Sequence, residues 1–201
     1  MHTKLLQKEQ IDEVVSLLND GEVVAFPTDT VFGVAVCYDN YDAINKMKFA
    51  KGRDEGKPFP MMVSSLLDIY TVANVSDKYE KIMKTLMPGA LTIVVNKKDT
   101  VMDFVTNGKD TIAIRMPDDE FVLSLIKKVG KPLLVTSANL SGGANTSNTS
   151  EVLAQLDGRI ACVVDGTSGG SVASTIIDIT TDNLKVLREG VISTDCILEL
   201  L

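Results

Sequence analysis

Short apolar segments of strand length, only some of them separated by a helical pattern, constrain the fold of this chain more than any other feature of its sequence. Helical periodicity is clear in residues 9–20, where apolar residues recur every three or four positions before Gly21. Strand-like runs at residues 160–164, 175–179 and 184–187 follow one another with no helical segment between them. Strict alternation of strand and helix is typical of a parallel sheet, and this chain departs from it. The order of its segments therefore predicts an α/β fold with a mixed sheet and some antiparallel pairs.

The other predicted elements have ordinary lengths, and no internal repeat or linker interrupts them. Asp118 and Ser193 are expected to be the N-caps of two helices, because each precedes a helical pattern and can accept a hydrogen bond from a free backbone amide. We therefore expect one domain over residues 1–201. Further helices are predicted at residues 42–50, 65–71, 77–86, 119–129, 151–156 and 194–200, and further strands at residues 22–26, 59–64, 91–95, 111–115 and 133–136.

The net charge and the length of the apolar runs limit the classes of partner. The formal net charge is −7, which opposes a broad grip on nucleic acid, since such binding neutralises phosphates with Lys and Arg. The sequence has no run of about 18 apolar residues, and its first residues lack the apolar stretch of a signal peptide. We therefore expect a cytoplasmic protein without membrane contact.

The scarcity of histidine and the spacing of the cysteines exclude several kinds of catalytic site. The one histidine, His2, stands near the N-terminus, which excludes Ser-His-Asp triads, Cys-His dyads and histidine metal sites. Cys37, Cys162 and Cys196 are far apart, and the first two lie in apolar runs typical of buried thiols. Any catalysis is then expected to depend on positioning and on charge stabilisation.

Lys51 and Arg53, one residue apart after a helical stretch, are the first candidate ligand-binding residues. An arginine can donate two parallel hydrogen bonds to phosphate oxygens, and a lysine supplies a point charge. Gly52 between them allows a ligand to approach the backbone closely. With Lys57 nearby, they could form a basic pocket on an acidic protein. The alternative is a solvated helix end, where cations interact favourably with the helix dipole.

A second candidate segment is rich in small hydroxyl and amide side chains. Residues 136–143 (TSANLSGG) follow a predicted strand, and ligands bind at strand ends in open α/β sheets. The chain has neither a G-x-x-x-x-G-K-[ST] loop nor a G-x-G-x-x-G loop, so a nucleotide would be held by another design. A Ser/Asn turn without a ligand stays open as the alternative.

Three shorter motifs can contribute polar groups to the same pocket. Residues 27–33 (PTDTVFG) place two threonine hydroxyls at a strand end, together with Asp29, which could pair with an amine or a cation. Residues 88–92 (PGALT) turn into a strand, and Arg115 ends a strand where it could bind a carboxylate. Their plain alternatives are a local turn, chain punctuation and a surface arginine.

In their order along the chain, these motifs resemble the YrdC/TsaC family, the L-threonylcarbamoyladenylate synthases. The resemblance covers residues 21–190, and the length is similar to that of the short, single-domain form. It implies a twisted, mixed α/β sheet of the YrdC type, flanked by helices and carrying a concave, basic active-site cavity. The matching motifs lie at residues 27–33, 51–53, 88–92, 115–117, 136–142 and 174–178.

The resemblance also implies a reaction. L-threonine, bicarbonate and ATP would form threonylcarbamoyl-AMP and pyrophosphate, with Mg2+ bound to the ATP phosphates and to waters. A threonylcarbamoyl transferase complex would receive the product and modify the tRNA adenosine next to the anticodon. Direct tRNA binding by this chain is therefore expected to be weak or absent. Carbamates are short-lived in water, which favours a closed cavity.

The resemblance assigns roles to residues of this chain by motif. Two positions depart from the family pattern, because Phe32 stands where the family commonly has Tyr and Asp119 stands where it often has His. The implied catalytic residues are Lys51 and Arg53; the implied ATP-binding residues are Lys51, Arg53, Ser137, Asn139 and Arg188; and the implied threonine-binding residues are Thr28, Thr30, Arg115 and Ser174, with Arg115 on the carboxylate.

Two alternatives with the same fold stay open. One is a non-catalytic RNA-binding module, which the acidic net charge disfavours. The other is a carbamoyl-transfer domain like those of hydrogenase maturation factors, which belong to longer chains with zinc-finger-like cysteines. The three isolated cysteines of this sequence argue against the second alternative.

Overall fold

The computed structural model describes residues 2–52 and 57–201. Over these residues, eleven strands form one mixed sheet that is packed against helices. Single 3-10 turns lie at Lys8–Gln10 and Asp77–Tyr79. The strands are β1 (Lys4–Leu6), β2 (Val24–Phe26), β3 (Gly33–Cys37), β4 (Met61–Met62), β5 (Ala73–Asn74), β6 (Leu91–Lys97), β7 (Thr111–Arg115), β8 (Leu133–Ser137), β9 (Cys162–Val164), β10 (Thr175–Asp178) and β11 (Lys185–Arg188). The helices are α1 (Ile11–Asn19), α2 (Tyr41–Lys51), α3 (Leu66–Val72), α4 (Glu80–Leu86), α5 (Asp103–Thr106), α6 (Glu120–Val129), α7 (Thr149–Leu156) and α8 (Thr194–Leu198).

The sheet contains both parallel and antiparallel pairs. The strand order is β1-β9-β2-β3-β8-β4-β7-β6-β10-β11, and β5 pairs with β6 outside this path. Strand β9 is parallel to β1 and β2, β4 is parallel to β7, and β6 is parallel to β10. Antiparallel pairs join β3 to β2 and β8, β8 to β4, β6 to β7 and β10 to β11. The mixed sheet predicted from the order of the segments is therefore confirmed.

Alternate residues of the central strands pack into two separate hydrophobic cores. In β3, Val34 and Val36 belong to the core that contains the buried residues of α2, α3 and α4, whereas Ala35 and Cys37 belong to the core formed by α1 and α6. Successive side chains of a strand point to opposite faces, so β3 is covered on both sides. Its sequence is therefore a continuous apolar run without polar alternation, and it is not among the strands predicted from the sequence.

Helix α2 ends at the first candidate segment. The Asn40 side chain starts the helix by accepting a hydrogen bond from the amide of Ala43 at 3.0 Å. Gly52 ends it in the left-handed conformation, with φ 58°, which glycine adopts without the steric cost of a Cβ. These two caps make Lys51 the last helical residue, and its ammonium group reaches the end of β8.

The structure moves several predicted boundaries by a few residues, and two of these corrections have a direct local cause. The N-cap of α6 is Asp119 rather than Asp118, because the Asp119 carboxylate accepts a hydrogen bond from the amide three residues further on, at 3.0 Å. The strand predicted at residues 59–64 shortens to the two residues of β4, and it starts only after Pro60, which has no amide to donate to a sheet. The predicted N-cap Ser193 is confirmed.

None of the helices within residues 2–52 and 57–201 has the length and the apolar character needed to cross a lipid bilayer.

Truncating Ile114 at the centre of the sheet should destabilise the protein strongly. This side chain is fully buried and pairs with Ile93 on one side and Met61 on the other. Ile114→Ala should lower the free energy of unfolding by about 2–5 kcal/mol, through lost burial and the cavity that remains. Urea denaturation measures this. The control Leu67→Ala, at a side chain that is 76% exposed, should change it by less than about 0.5 kcal/mol. Equal losses in the two variants would contradict this packing.

Candidate functional site

Six of the residues predicted to bind ligands line one cavity of about 190 Å³. The walls come from the turn between β2 and β3, the end of β8, the start of β6, and the ends of β7 and β11 with the start of β10. The polar wall is therefore assembled from segments far apart in the sequence. The six residues are Thr28, Thr30, Arg115, Ser137, Ser174 and Arg188.

Arg115 is buried in this wall, and its guanidinium group is bonded on three sides. Nη2 donates to the two carboxylate oxygens of Asp29 at 2.7 and 2.8 Å, Nη1 donates to the Thr30 hydroxyl at 2.7 Å, and Nε donates to the Gly89 carbonyl at 3.1 Å. Burial lowers the pKa of Arg115, while the Asp29 carboxylate raises it and Arg188 lowers it further. An arginine nevertheless stays charged at neutral pH, so Arg115 forms a lasting ion pair and is not a surface arginine.

The threonines beside Arg115 form a directed chain of hydrogen bonds. The Thr28 hydroxyl donates to the Val31 carbonyl at 2.8 Å and accepts from the Thr30 amide at 3.1 Å. Its single proton is therefore used, so Thr30 is the donor in the 3.2 Å contact between the two hydroxyls. This contact is longer than the usual O–H···O distance of about 2.5–3.0 Å, and the Thr30 oxygen also accepts from Arg115. An anionic acceptor in the cavity would therefore draw the Thr30 proton away from Thr28.

A second polar group is built from β6, β10 and β11. The hydroxyls of Thr92 and Ser174 are 2.7 Å apart. Arg188 lies opposite Ile176 in the antiparallel pair of β10 and β11, and it donates to the Ser174 carbonyl from Nη2 at 2.7 Å and from Nε at 3.2 Å. Partial burial lowers the pKa of Arg188.

The charges of the two arginines are balanced differently. Within the described part of the chain, no carboxylate lies within 4.0 Å of Arg188. Arg115, by contrast, is paired with Asp29. The cavity thus carries an excess of positive charge, which favours an anionic ligand.

Lys51 and Asn139 lie beside the end of β8 and outside the cavity wall. Lys51 is only 3% exposed, and its ammonium group donates to the carbonyls of Ser137 and Asn139 at 2.5 and 2.7 Å, so it is not a solvated helix end. The Asn139 side-chain amide donates to the carbonyls of Leu140 and Gly143 at 2.8 and 2.9 Å, and its Oδ1 is buried without a hydrogen-bond partner. Both residues therefore hold the end of β8, where Ser137 lies, and the loop that follows it.

Comparison with known proteins assigns the chain to a family. The Sua5/YciO/YrdC family model, described as telomere recombination, matches residues 16–190. The chain belongs to the Sua5/YciO/YrdC family. It is similar to the threonylcarbamoyl-AMP synthase of Bacillus subtilis, with 39% identity over 189 residues that cover 92% of this chain and 55% of that protein. The threonylcarbamoyl-AMP synthase of Vibrio parahaemolyticus is 34% identical, over 90% of this chain and all of that protein.

Solved structures of the Sua5/YciO/YrdC family agree with the fold described above. The crystal structure of P. abyssi Sua5 complexed with L-threonine matches with a TM-score of 0.94 and 30% identity, over 99% of this chain and 61% of that chain. The YrdC-type α/β fold predicted from the motifs is therefore confirmed. The chain spans little more than half the length of the B. subtilis and Pyrococcus abyssi relatives.

The two departures from the family pattern have clear structural positions. Phe32 is fully buried and forms part of the cavity wall, so this chain presents an apolar ring there. Asp119 caps α6, where its carboxylate is used by the helix. Of the predicted basic cluster, Lys57 is exposed and Arg53 lies outside the described residues.

Two contacts in and beside the cavity were not expected from the sequence. One is the hydroxyl pair of Thr92 and Ser174. The other is the Gly169 amide, which donates to the Thr28 carbonyl at 2.8 Å. The signal for the second was the Gly169-Gly170 pair, because a Cβ at Gly169 would lie 2.6 Å from the Asp29 carbonyl oxygen.

The cysteines lie outside the cavity wall, and the burial of two of them should make these two thiols unreactive. Burial raises the pKa of the Cys37 thiol to about 11 and that of the Cys162 thiol to about 12, whereas Cys196 is exposed. Because the thiolate is the reactive form, the native protein at about pH 8 should present one titratable thiol. All three should react in denaturant. A colorimetric thiol titration measures both values, and a second fast-reacting thiol in the native protein would contradict the burial.

Proposed function

We propose that this chain is a threonylcarbamoyl-AMP synthase that converts L-threonine, bicarbonate and ATP to threonylcarbamoyl-AMP and pyrophosphate. The observation that carries the proposal is the cavity itself, in which Thr30, Arg115, Ser174 and Arg188 converge. The chain that holds them matches the fold of a relative complexed with L-threonine, with a TM-score of 0.94. The names of the bacterial relatives support the same reaction.

L-threonine fits the cavity by size and by charge. A volume of about 190 Å³ is smaller than the roughly 300–1,000 Å³ of pockets that bury drug-sized ligands, so it suits an amino acid rather than a whole nucleotide. The threonine carboxylate would accept a hydrogen bond from Nη1 of Arg115 and a second from the Thr30 hydroxyl, whose proton would turn from Thr28 to the ligand. Thr28 holds Thr30 in place through the hydrogen bonds between them. The hydroxyls of Ser174 and Thr92 would interact with the other polar groups of the substrate.

ATP would lie on the open side of the cavity, with its phosphates toward Arg188 and Ser137. Arg188 is suited to phosphate because no carboxylate among the described residues neutralises it. Lys51 and Asn139 would act mainly by holding the end of β8 at Ser137 and the loop after it, since their donors are already used within the protein. The catalytic role of Arg53 beside Lys51 is proposed from the sequence motif alone.

Mg2+ would arrive with the nucleotide. Within residues 2–52 and 57–201, no group of three or more His, Cys, Asp or Glu side chains is placed to hold a metal ion, and Mg2+ is commonly bound through substrate phosphates and waters with few protein ligands. When bound, it would neutralise phosphate charge during the displacement. The residues of this chain are compatible with that arrangement, because the cavity supplies cations and hydroxyls rather than a metal cage.

The chemistry needs placement and charge rather than a side-chain base. The threonine amine attacks the carbon of bicarbonate, a C–O bond breaks and water leaves, which gives a carbamate. A carbamate oxygen then attacks the α-phosphorus of ATP while the bond from that phosphorus to the bridging β-phosphate oxygen breaks and pyrophosphate leaves. The negative charge that develops is stabilised by fixed cations and hydroxyl donors, and such preorganised groups supply a large part of catalysis in phosphoryl transfer. Arg115 and Arg188 are held by carbonyls and a carboxylate before the substrate binds.

The product would pass to a threonylcarbamoyl transferase complex in the cytoplasm, which recognises the tRNA. The net charge of −7 supports this division, because strong tRNA binding needs uncompensated cations and the 20 Lys and Arg residues of this chain are outnumbered by 27 Asp and Glu residues. The alternative function, a non-catalytic RNA-binding module, is disfavoured by the same charge and by the enzyme names of the relatives.

The direct test is pyrophosphate release by the purified protein. We expect release that requires ATP, L-threonine and bicarbonate together, and that proceeds without tRNA. L-valine is the matched control substrate, because it replaces the threonine hydroxyl with a methyl group of similar shape and should support little release. Absence of threonine-dependent release, or a strict need for tRNA, would refute the proposal.

Arg188→Ala should weaken ATP binding while the fold stays intact. The side chain lies on the exposed edge strand β11, and hydrogen bonds to charged groups contribute about 1.5–3 kcal/mol. The ATP Kd, measured by calorimetry, should therefore rise by about tenfold or more. The matched control is Lys185→Ala, which removes another exposed cation of the same strand and should leave the Kd unchanged. Equal effects of the two substitutions would point to general charge rather than to a specific contact.

A further inference from the structure

The Asp29–Arg115 ion pair differs from the other ion pairs of the described residues in its burial. The side chains of Arg115 and Asp29 are 6% and 15% exposed. In each of the other pairs at least one partner is more than a third exposed. Removing two charges from water costs several kcal/mol per ion, so a buried pair is weak evidence of stabilisation and is often kept for the geometry that it fixes.

Hydrogen bonds within the protein occupy the Nε and Nη2 edge of the Arg115 guanidinium group. Both oxygens of Asp29 are used by Nη2, and Nε is used by Gly89. Among the described residues, Nη1 makes one hydrogen bond, to Thr30. Since Nη1 carries two hydrogens, one of them stays available to a ligand. Asp29 itself does not line the cavity.

We propose that Asp29 is a positioning residue for substrate binding. It holds the guanidinium plane of Arg115 so that the second Nη1 hydrogen faces a ligand carboxylate in the cavity, toward which the proton of Thr30 would turn from Thr28. This inference rests on the proposed function, which supplies L-threonine as the carboxylate ligand. Asp29 acts through Arg115 and makes no contact with the substrate.

The turn that carries Asp29 is itself held from outside the cavity. The amide of Gly169 donates to the Thr28 carbonyl at 2.8 Å. A Cβ at Gly169 would lie 2.6 Å from the carbonyl oxygen of Asp29, which is backbone and cannot rotate away. Gly169→Ala should therefore displace the turn while leaving the Asp29 carboxylate in the chain, which gives a second route to the same test.

The first measurement is calorimetric binding of L-threonine and of ATP to the full chain, wild type and Asp29→Asn. The asparagine keeps the shape but loses the charge and one acceptor, so Arg115 should leave its place. We expect the threonine Kd to rise by about tenfold or more and the ATP Kd to stay within about twofold. The matched control is Asp39→Asn, which removes the same charge from the exposed Lys131–Asp39 pair, where the atoms are 2.8 Å apart. It should change neither Kd.

The second measurement needs no ligand. The chain has four arginines, so the side-chain guanidinium signals in nitrogen-15 NMR spectra can be assigned with an Arg115→Lys variant. Wild-type Arg115 hydrogens should exchange slowly with water, and those of Asp29→Asn should exchange fast. Should Asp29→Asn fail to fold, Gly169→Ala is carried through both measurements with the same expected results.

Each outcome decides between the two proposals. Slow exchange of the Arg115 hydrogens in Asp29→Asn, or an unchanged threonine Kd, would overturn the positioning role. Tighter threonine binding would also overturn it, because Asp29 would then act by neutralising Arg115. A matching loss of ATP affinity would indicate a general structural defect and reject the inference. A wild-type protein that binds no threonine would refute the proposed function, while the exchange rates would still decide whether Asp29 fixes Arg115.

Discussion

The buried ion pair of Arg115 and Asp29 joins parts of the chain that the sheet alone keeps apart. In the strand order, β3, β8 and β4 lie between β2 and β7, yet the turn after β2 meets the end of β7 through this pair. The Gly89 carbonyl adds the segment before β6 to the same guanidinium group. Breaking a buried pair by removing one partner typically costs about 3–5 kcal/mol, so the cavity wall and the stability of the fold depend on the same contact.

Lys51 is a second buried cation that joins separate segments of the chain, here at the end of β8. Its ammonium group is bonded to two carbonyl oxygens at the start of the loop that follows this strand, and its own carbonyl accepts from the Ser141 amide at 2.9 Å. The end of α2 and the loop therefore form one rigid unit. A lysine that the motif associates with phosphate is, in this structure, also the support for the neighbouring hydroxyl and amide residues.

Local chemistry allowed some elements to be predicted closely. The strand at residues 111–115 agrees with β7 because β-branched residues alternate there between turn signals, and Gly130 ends α6 in the left-handed conformation as expected. Strand β3 was missed, although its apolar run is similar to the predicted strands at residues 133–136 and 160–164, because a short apolar run without alternation fits a buried helix segment as well as a strand. The correct cap of α6 could not be chosen either, because Asp118 and Asp119 are chemically equivalent and only the backbone path distinguishes them.

For the site, the sequence provided the residue types but not their pairing. Asp29 was expected to meet an amine or a cation, and the choice of Arg115 depends on the strand order, which no local pattern encodes. The convergence of Thr28, Ser137 and Arg188 on one cavity followed from the family resemblance rather than from periodicity. The hydroxyl pair of Thr92 and Ser174 depends on the parallel register of β6 and β10 and was invisible in the sequence for the same reason.

The composition of the cavity wall has a consequence for its behaviour in different solutions. Among its described lining residues, the charged side chains are Arg115 and Arg188, and arginine does not lose its proton in proteins. The hydroxyl and amide groups beside them do not titrate near neutrality either, and histidine, the side chain that normally does so, is missing from the wall. The electrostatic field inside the cavity is therefore nearly constant across the neutral pH range. Any proton that must be gained or lost there belongs to the bound molecule.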